Sequence, residues 1–249
     1  MKKLELIFIL LLVLPMVIQA QYTGGYGKGD VSFVIYSSNP INWFTGGNGR
    51  GDVSLVYSAK ALQLTLLLEG LMNNVRSMNK AQDETGDHFT GNTADQIMVE
   101  LHESTSPYLV THSANNVNLN TDGSVAIIIP ETCSGNYYVS IKHHNSIGTW
   151  SAIPVSFSSR TTNYNFTDNA SKSYGNNLKN VSGAFVIYGG DVNQDGFVDS
   201  GDMTPVDNDA ANFVMGYFSS DVNGDGFVDS ADMTIIDNNA ANFVSAITP

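Results

Sequence analysis

"DVNQDGFVDSGDMTPVDNDAANFV" at residues 191–214 returns as "DVNGDGFVDSADMTIIDNNAANFV" at residues 221–244. The two stretches differ at five of 24 aligned positions, so a single unit has been duplicated. Each unit opens with twelve residues that hold four Asp and one Asn, with a glycine in the sixth position. It then changes character. Met203, Val206, Ala210, Phe213 and Val214 recur at intervals that put them on one helical face, and Met233, Ile236, Ala240, Phe243 and Val244 repeat the pattern. The expected local structure is an acidic loop followed by a helix, twice over.

Two carboxylates about 5 Å apart at an effective dielectric near 20 repel by roughly 3 kcal/mol. Solvent and salt weaken that repulsion, but four such groups in one short loop remain costly to hold together without a cation. The spacing suits a hard divalent ion, which takes roughly six to eight oxygens at about 2.3–2.6 Å from a twelve-residue loop with a sharp turn at its sixth residue. Positions 1, 3, 5, 7, 9 and 12 of the first copy are Asp191, Asn193, Asp195, the carbonyl of Phe197, Asp199 and Asp202, with Gly196 at the turn. The second copy supplies Asp221, Asn223, Asp225, the carbonyl of Phe227, Asp229 and Asp232, with Gly226. Position 9 acts directly or through a water. Mg²⁺ is disfavoured because it demands tight octahedral geometry and keeps its waters, and Zn²⁺ because the loops offer no His or Cys. Two calcium ions are the expected cofactors. Val198 and Val228, apolar at position 8, are expected to pair the two loops with each other through a short β bridge.

Loop-then-helix units without an entering helix, carrying "DVNxDGxVDSxDMT", resemble the duplicated calcium repeats of dockerin domains. Asp at position 12, where most EF-hands have Glu, is also a habit of that family. The resemblance covers about residues 189–245. It implies calcium ligation by the residues named above, a small α module at 189–249, and docking to a cohesin-like or other cell-surface protein. At the partner-reading surface this chain departs from the family. Type I dockerins usually show Ser-Thr at loop positions 10 and 11 and then Lys-Arg on the helix. Here those places hold Ser200-Gly201 and Ser230-Ala231, then Asp207-Asn208 and Asp237-Asn238. Calcium ligation therefore carries over and the cohesin-reading residues do not. Upstream, "YYVSIKHHNSIGTWSAIPVSF" (137–157) and "YNFTDNASKSYGNNLKNVSGAFVIYGGDVNQDG" (164–196) are similar to a module found beside dockerin-like repeats in secreted proteins of Bacteroidetes.

Between residues 61 and 188 the pattern is β throughout, with strands expected at 62–68, 97–102, 117–120, 125–129, 137–142, 153–157 and 184–188. Short strands separated by turn-rich segments, without helical periodicity, argue for an antiparallel β-sandwich. Residues 72–95 read as a long polar loop. Further upstream, "GGYGKGDVSFVIY" (24–36) recurs as "GGNGRGDVSLVY" (46–57), a glycine-rich turn leading into a strand, which fits a hairpin or two edge strands. This glycine-rich segment is expected to span 21–60. At the start, Lys2 and Lys3, the apolar run Ile7–Leu14 and Ala20 read as a signal peptide over 1–20, too short to span a bilayer, with no membrane span after cleavage. The expected location is secreted, extracellular or at the cell surface.

The net charge of −13 is not spread evenly. Eleven of the 24 acidic residues, all Asp, follow Lys179, and no Lys or Arg follows it; the remaining thirteen acids face eleven bases. Without a basic patch, nucleic acid and anionic membranes are excluded as partners. Cys133 is the only cysteine, so no internal disulfide staples the fold.

No catalytic elbow, metalloprotease helix or phosphate loop is present. Glu100 and Glu103 are expected on opposite faces of a strand. An enzymatic reading would need a carboxylate pair in a cleft, which Glu69, Glu100 and Glu131 scattered on separate faces would dismiss. His143 and His144, adjacent on a strand, are expected to face opposite ways and share no metal; His102 reads as structural. Trp150 reads as core, while Trp43 and Tyr26 are candidates for an exposed platform. The chain is thus expected to be mainly β. An antiparallel β-sandwich precedes a small α C-terminal dockerin-like module of two calcium loop-helix repeats, in a secreted, non-catalytic, calcium-binding protein for docking or surface assembly. The alternative is a component of extracellular polysaccharide degradation, with polysaccharide as a further partner.

Overall fold

The computed structural model describes residues 18–22, 31–35, 55–56, 59–73 and 76–249, with side chains from residue 60 onward. The apolar run of the signal segment, the glycine-rich turns, Tyr26 and Trp43 lie outside the described residues. The chain divides into two units, Met1–Ala59 and Lys60–Pro249. In the first, β1 (Ile18–Tyr22) runs antiparallel to β2 (Val31–Ile35), and β2 runs parallel to β3 (Leu55–Val56). Phe33 pairs with Leu55 and Val34 with Val56. The pairs are 22 residues apart, the offset of the repeat, so equivalent positions of the two copies lie side by side. This is a parallel pair, not a hairpin.

The second unit contains β4 (Ala59–Thr65), β5 (Gln82–Asp83), β6 (Gly86–Asp87), β7 (Thr93–Glu103), β8 (Val110–Asn120), β9 (Ser124–Pro130), β10 (Asn136–His143), β11 (Ser146–Trp150), β12 (Val155–Ser156), β13 (Thr161–Asn165), β14 (Lys179–Val181) and β15 (Ala184–Val186). The fold is mainly β, as expected. A five-stranded antiparallel sheet runs β11-β10-β7-β8 with β12 also on β10, and a second sheet runs β13-β4-β9. In the latter, β13 is parallel to β4. Segment 72–95 is not all loop: it contains the β5–β6 hairpin and the start of β7.

Strand alternation places Ile97, Val99 and Leu101 of β7 with Val139 and Ile141 of β10 in the core, where they join Leu62 and Leu64 of β4 and Val125, Ile127 and Ile129 of β9. Each such side chain contributes about 1.5–3 kcal/mol on burial. The opposite face of β7 is covered as well. His102 is buried beneath Trp150, with ring centroids 4.0 Å apart. Lys60 is buried and donates to the carbonyls of Cys133 (3.3 Å) and Phe157 (2.6 Å).

Two helices follow, α1 (Ser200–Ala211) and α2 (Ser230–Ala240). Val206 and Ile236 are fully buried, but Phe213 and Phe243 are 86% and 90% exposed. The helical face read from the sequence therefore ends early. At the end of each helix Val214 N–H donates to Asp209 O and Val244 N–H to Asn239 O, while Phe213 and Phe243 take φ of 55° and 53°. This left-handed reversal closes the helix and breaks its periodicity.

Candidate functional site

Backbone N–H groups converge on the carboxylates of each acidic loop. In the first, buried Asp202 accepts from Val192 N (2.8 Å) and Asn193 N (3.1 Å) through Oδ1 and from Asp199 N (2.9 Å) through Oδ2. The twelfth residue thus ties the start of the loop to its ninth position. Asp191 Oδ2 accepts from Gly196 N (3.2 Å), Asn193 Oδ1 from Asp195 N (2.8 Å), and Asp195 Oδ1 from Phe197 N (3.0 Å). The second loop repeats the scheme. Asp232 accepts from Asn223 N and Asp229 N, both 2.9 Å, and Asp221 Oδ2 from Gly226 N at 2.8 Å. Asn223 accepts from Asp225 N (2.8 Å) and Asp225 from Phe227 N (3.0 Å). Gly196 and Gly226, at φ of 87° and 84°, make the left-handed turn these bonds require. Asp199 and Asp229 cap the helices, accepting from Gly201 N and Ala231 N at 2.6 Å.

The expected bridge between the loops is not formed. Val198 N–H donates to Val244 O (2.9 Å) and Val228 N–H to Val214 O (3.1 Å), so each loop pairs with the segment after a helix. Gly196 O and Val198 N serve the ladder to Ala246 and Val244. Phe197 therefore turns its own N–H and C=O toward the loop, as alternation along a strand dictates.

Burial and mutual repulsion both act on these carboxyls. Burial, and then the charge of Asp202, pushes Asp191 up to about 6; burial likewise lifts Asp221 to about 7, with Asp232 adding to it. Burial also raises Asp202 and Asp232. Asp191 Oδ1 is buried and has no hydrogen-bond donor. An unsatisfied anionic oxygen amid like charges, in an all-oxygen donor set, fits a hard cation.

The two copies differ where the second meets the β module. Gly224 stands in for Gln194; a Cβ there would lie 2.3 Å from Leu71 Cδ2. Asn239 stands in for Asp209. It donates to Glu69 Oε2 (2.7 Å) and Gly189 O (2.9 Å) and accepts from Lys179 (2.9 Å). Lys179 also pairs with Glu69 Oε1. Glu100 and Glu131, also singled out in the sequence, are held separately. Glu100 pairs with His102 (3.1 Å) and Lys142 (2.8 Å), and Glu131 lies 3.8 Å from Arg160.

His143 and His144 do come together, contrary to expectation. Strand β10 bulges after Ile141 and ends at His143, and a two-residue turn follows. His144 is therefore a turn residue, to which strand alternation does not apply. His143 Nε2 lies 3.1 Å and His144 Nε2 3.5 Å from Asp95 Oδ2. No local sequence signal marks Asp95, which lies 48 residues from His143.

Residues 189–241 match the family of the Dockerin type I domain, a class that binds calcium and serves docking and assembly. Among solved structures the chain is similar to two interface mutants of a type II cohesin–X-dockerin complex from Acetivibrio cellulolyticus. The C-terminal interface mutant is 15% identical with a TM-score of 0.43, and the N-terminal one 16% identical with 0.42. Each match covers 74% of this chain and 99% of the other. No curated protein matches the chain.

Proposed function

We propose that residues 189–249 form a calcium-dependent docking module holding two ions, within a secreted, non-catalytic protein. Residues 1–20 are its signal peptide, 21–60 its glycine-rich repeats and 61–188 its β-sandwich. Asp191, Asn193, Asp195, the Phe197 carbonyl, Asp199 and Asp202 hold one ion; Asp221, Asn223, Asp225, the Phe227 carbonyl, Asp229 and Asp232 hold the other. When bound, calcium supplies only charge and coordination. The residues do the rest: Asp202 and Asp232 shut the loops, and Asp199 and Asp229 start the helices. The observation that carries this reading is the duplicated loop in which buried carboxylates crowd one another and Asp191 Oδ1 lacks a donor.

The partner is a cohesin-like protein at the cell surface or in a secreted assembly. Support comes from the exposed aromatic side chains of the repeats, Phe197 (59%), Phe227 (52%), Phe213 (86%) and Phe243 (90%). Phe197 bridges Ser245 and Phe227 bridges Met215, so each exposed loop Phe sits beside the segment that follows a helix. Large apolar side chains held in water at duplicated positions suit a protein interface better than a solvated surface. The test is a calcium titration of the chelator-stripped chain by calorimetry and far-UV circular dichroism. Two equivalents and a gain of helical signal are expected, and an unchanged spectrum in millimolar chelator would refute the reading.

A further inference from the structure

We propose that Asp95, His143 and His144 form a third cation site, chemically distinct from the loops, that takes a borderline transition metal such as Zn²⁺. Two imidazoles and one carboxylate are the donor set such ions select, whereas calcium prefers oxygen alone. The ligand atoms all lie within 4.8 Å of one another. A four-coordinate zinc with bonds of about 2.0–2.1 Å needs donors about 3.3 Å apart, and the two edges that meet at Asp95 Oδ2 measure 3.1 and 3.5 Å.

The surrounding contacts hold the donors in place. Tyr217 donates to Asp95 Oδ1 at 2.6 Å, which leaves Oδ2 as the oxygen both imidazoles face. His143 Nδ1 is engaged by Ser146 Oγ at 2.9 Å, which aims Nε2 at the same point. Such outer contacts orient metal-bound imidazole and carboxylate groups. A purely hydrogen-bonded network accounts for His143 but not for its neighbour. His144 Nε2 is buried and completes no hydrogen bond, although it lies 3.5 Å from the carboxylate. The three residues line a cavity of about 10 Å³, shared with Tyr217, Asn145 and Asp221, which is room for about one water or ion. Three protein donors leave a fourth position for water, and half-buried His144 provides the way in.

The location gives the site a purpose. Asn145, in the same turn, donates to Asp221 O (3.0 Å) and accepts from Gly190 N (2.7 Å). An ion here pins the turn that joins the β module to the openings of both acidic loops.

The experiment uses the full chain, stripped by chelator and returned to excess calcium so that the loops are occupied. It is titrated with Zn²⁺ by calorimetry and, separately, with Co²⁺ by visible absorption. One equivalent of Zn²⁺ and the intense bands of four-coordinate cobalt are expected. Asp95→Ala removes a buried hydrogen-bonded group, so the informative variant is His144→Ala, in the turn, with its fold checked by circular dichroism. It should lose at least about 100-fold in Zn²⁺ affinity, and Tyr217→Phe about 10-fold. Absence of Zn²⁺ heat and cobalt bands in the wild-type chain overturns the proposal, as does a His144→Ala chain that binds as tightly as wild type.

Discussion

A carboxyl at Asp221 leaves water when the chain folds, and burial together with Asp232 raises it to about 7. Without metal, the folded state then binds protons more tightly than the unfolded state, whose Asp titrates near 4. Between about pH 4 and pH 7 the native form carries the extra proton, so stability falls as pH rises through that window. Asp191, at about 6, acts in the same direction. In calcium-free buffer these two carboxyls should lower the urea midpoint between pH 5 and pH 8, against the opposite pull of His143, whose imidazole is held below its ordinary value by burial. Asp221→Asn should make the midpoint fall less. A fall unchanged by that substitution would remove Asp221 as its source. The exposed pair Phe213 and Phe243 invites a second test. Each occupies the left-handed position that glycine favours at a helix end, at a cost of about 1 kcal/mol for a non-glycine residue. Phe213→Gly and Phe243→Gly should each raise the melting temperature while weakening partner binding; a loss of stability would mean that the rings contribute to packing after all. The two acidic loops were legible at this scale because their carboxylates and the turning glycine lie within twelve contiguous residues. Asp95 with His143 and His144 was not, because their meeting depends on where β10 stops.

Among the elements, alternation in β7 and β10 was readable, since apolar side chains at every second position have one burial solution. Strands β11 and β13 were passed over because "SIGTW" and "TTNYN" carry little apolar alternation. Strand β13 owes its place to a distant partner, pairing in parallel with β4 from Thr161 against Ala61 onward, whereas β11 folds back on its neighbour β10. The loop bridges were misassigned for a related reason: Val198 and Val228 marked pairing positions without naming the partner strand. Divergence between the repeats is the better guide to how α2 docks. Asn239 lies against Glu69, Gly189 and Lys179, where α1 has Asp209 bonded to Ser220 (2.6 Å). Asn239→Asp, which makes the second copy match the first, removes both donated bonds and sets a new carboxylate against Glu69 Oε2. A loss of about 2 kcal/mol is expected from urea unfolding. The reciprocal Asp209→Asn, away from that contact, should cost less than half as much. Equal losses would show that the Glu69 contact is not what distinguishes the helices.

The change of composition at Gly189-Gly190 suggests a boundary, yet residues Lys60–Pro249 form one compact unit. The seam is closely fitted. A Cβ on Gly70 would lie 1.8 Å from Val222 O, Gln82 N donates to Gly224 O at 2.9 Å, and Asn145 reaches Asp221 O. Contacts of this kind carry stability across the seam, so ions held by the loops should stabilise the β module too. Trp150 reports on that module, since it packs on His102 and the only other tryptophan is Trp43. In a Trp43→Phe chain, thermal unfolding followed by Trp150 fluorescence and by helical circular dichroism should coincide. At calcium about 100-fold above the dissociation constant, both should shift upward together by the equivalent of about 2.7 kcal/mol per occupied site. Gly70→Ala should part the two transitions by forcing the seam open, leaving the fluorescence transition insensitive to calcium. If the wild-type Trp150 transition already ignores calcium, the two halves fold independently and the seam transmits nothing.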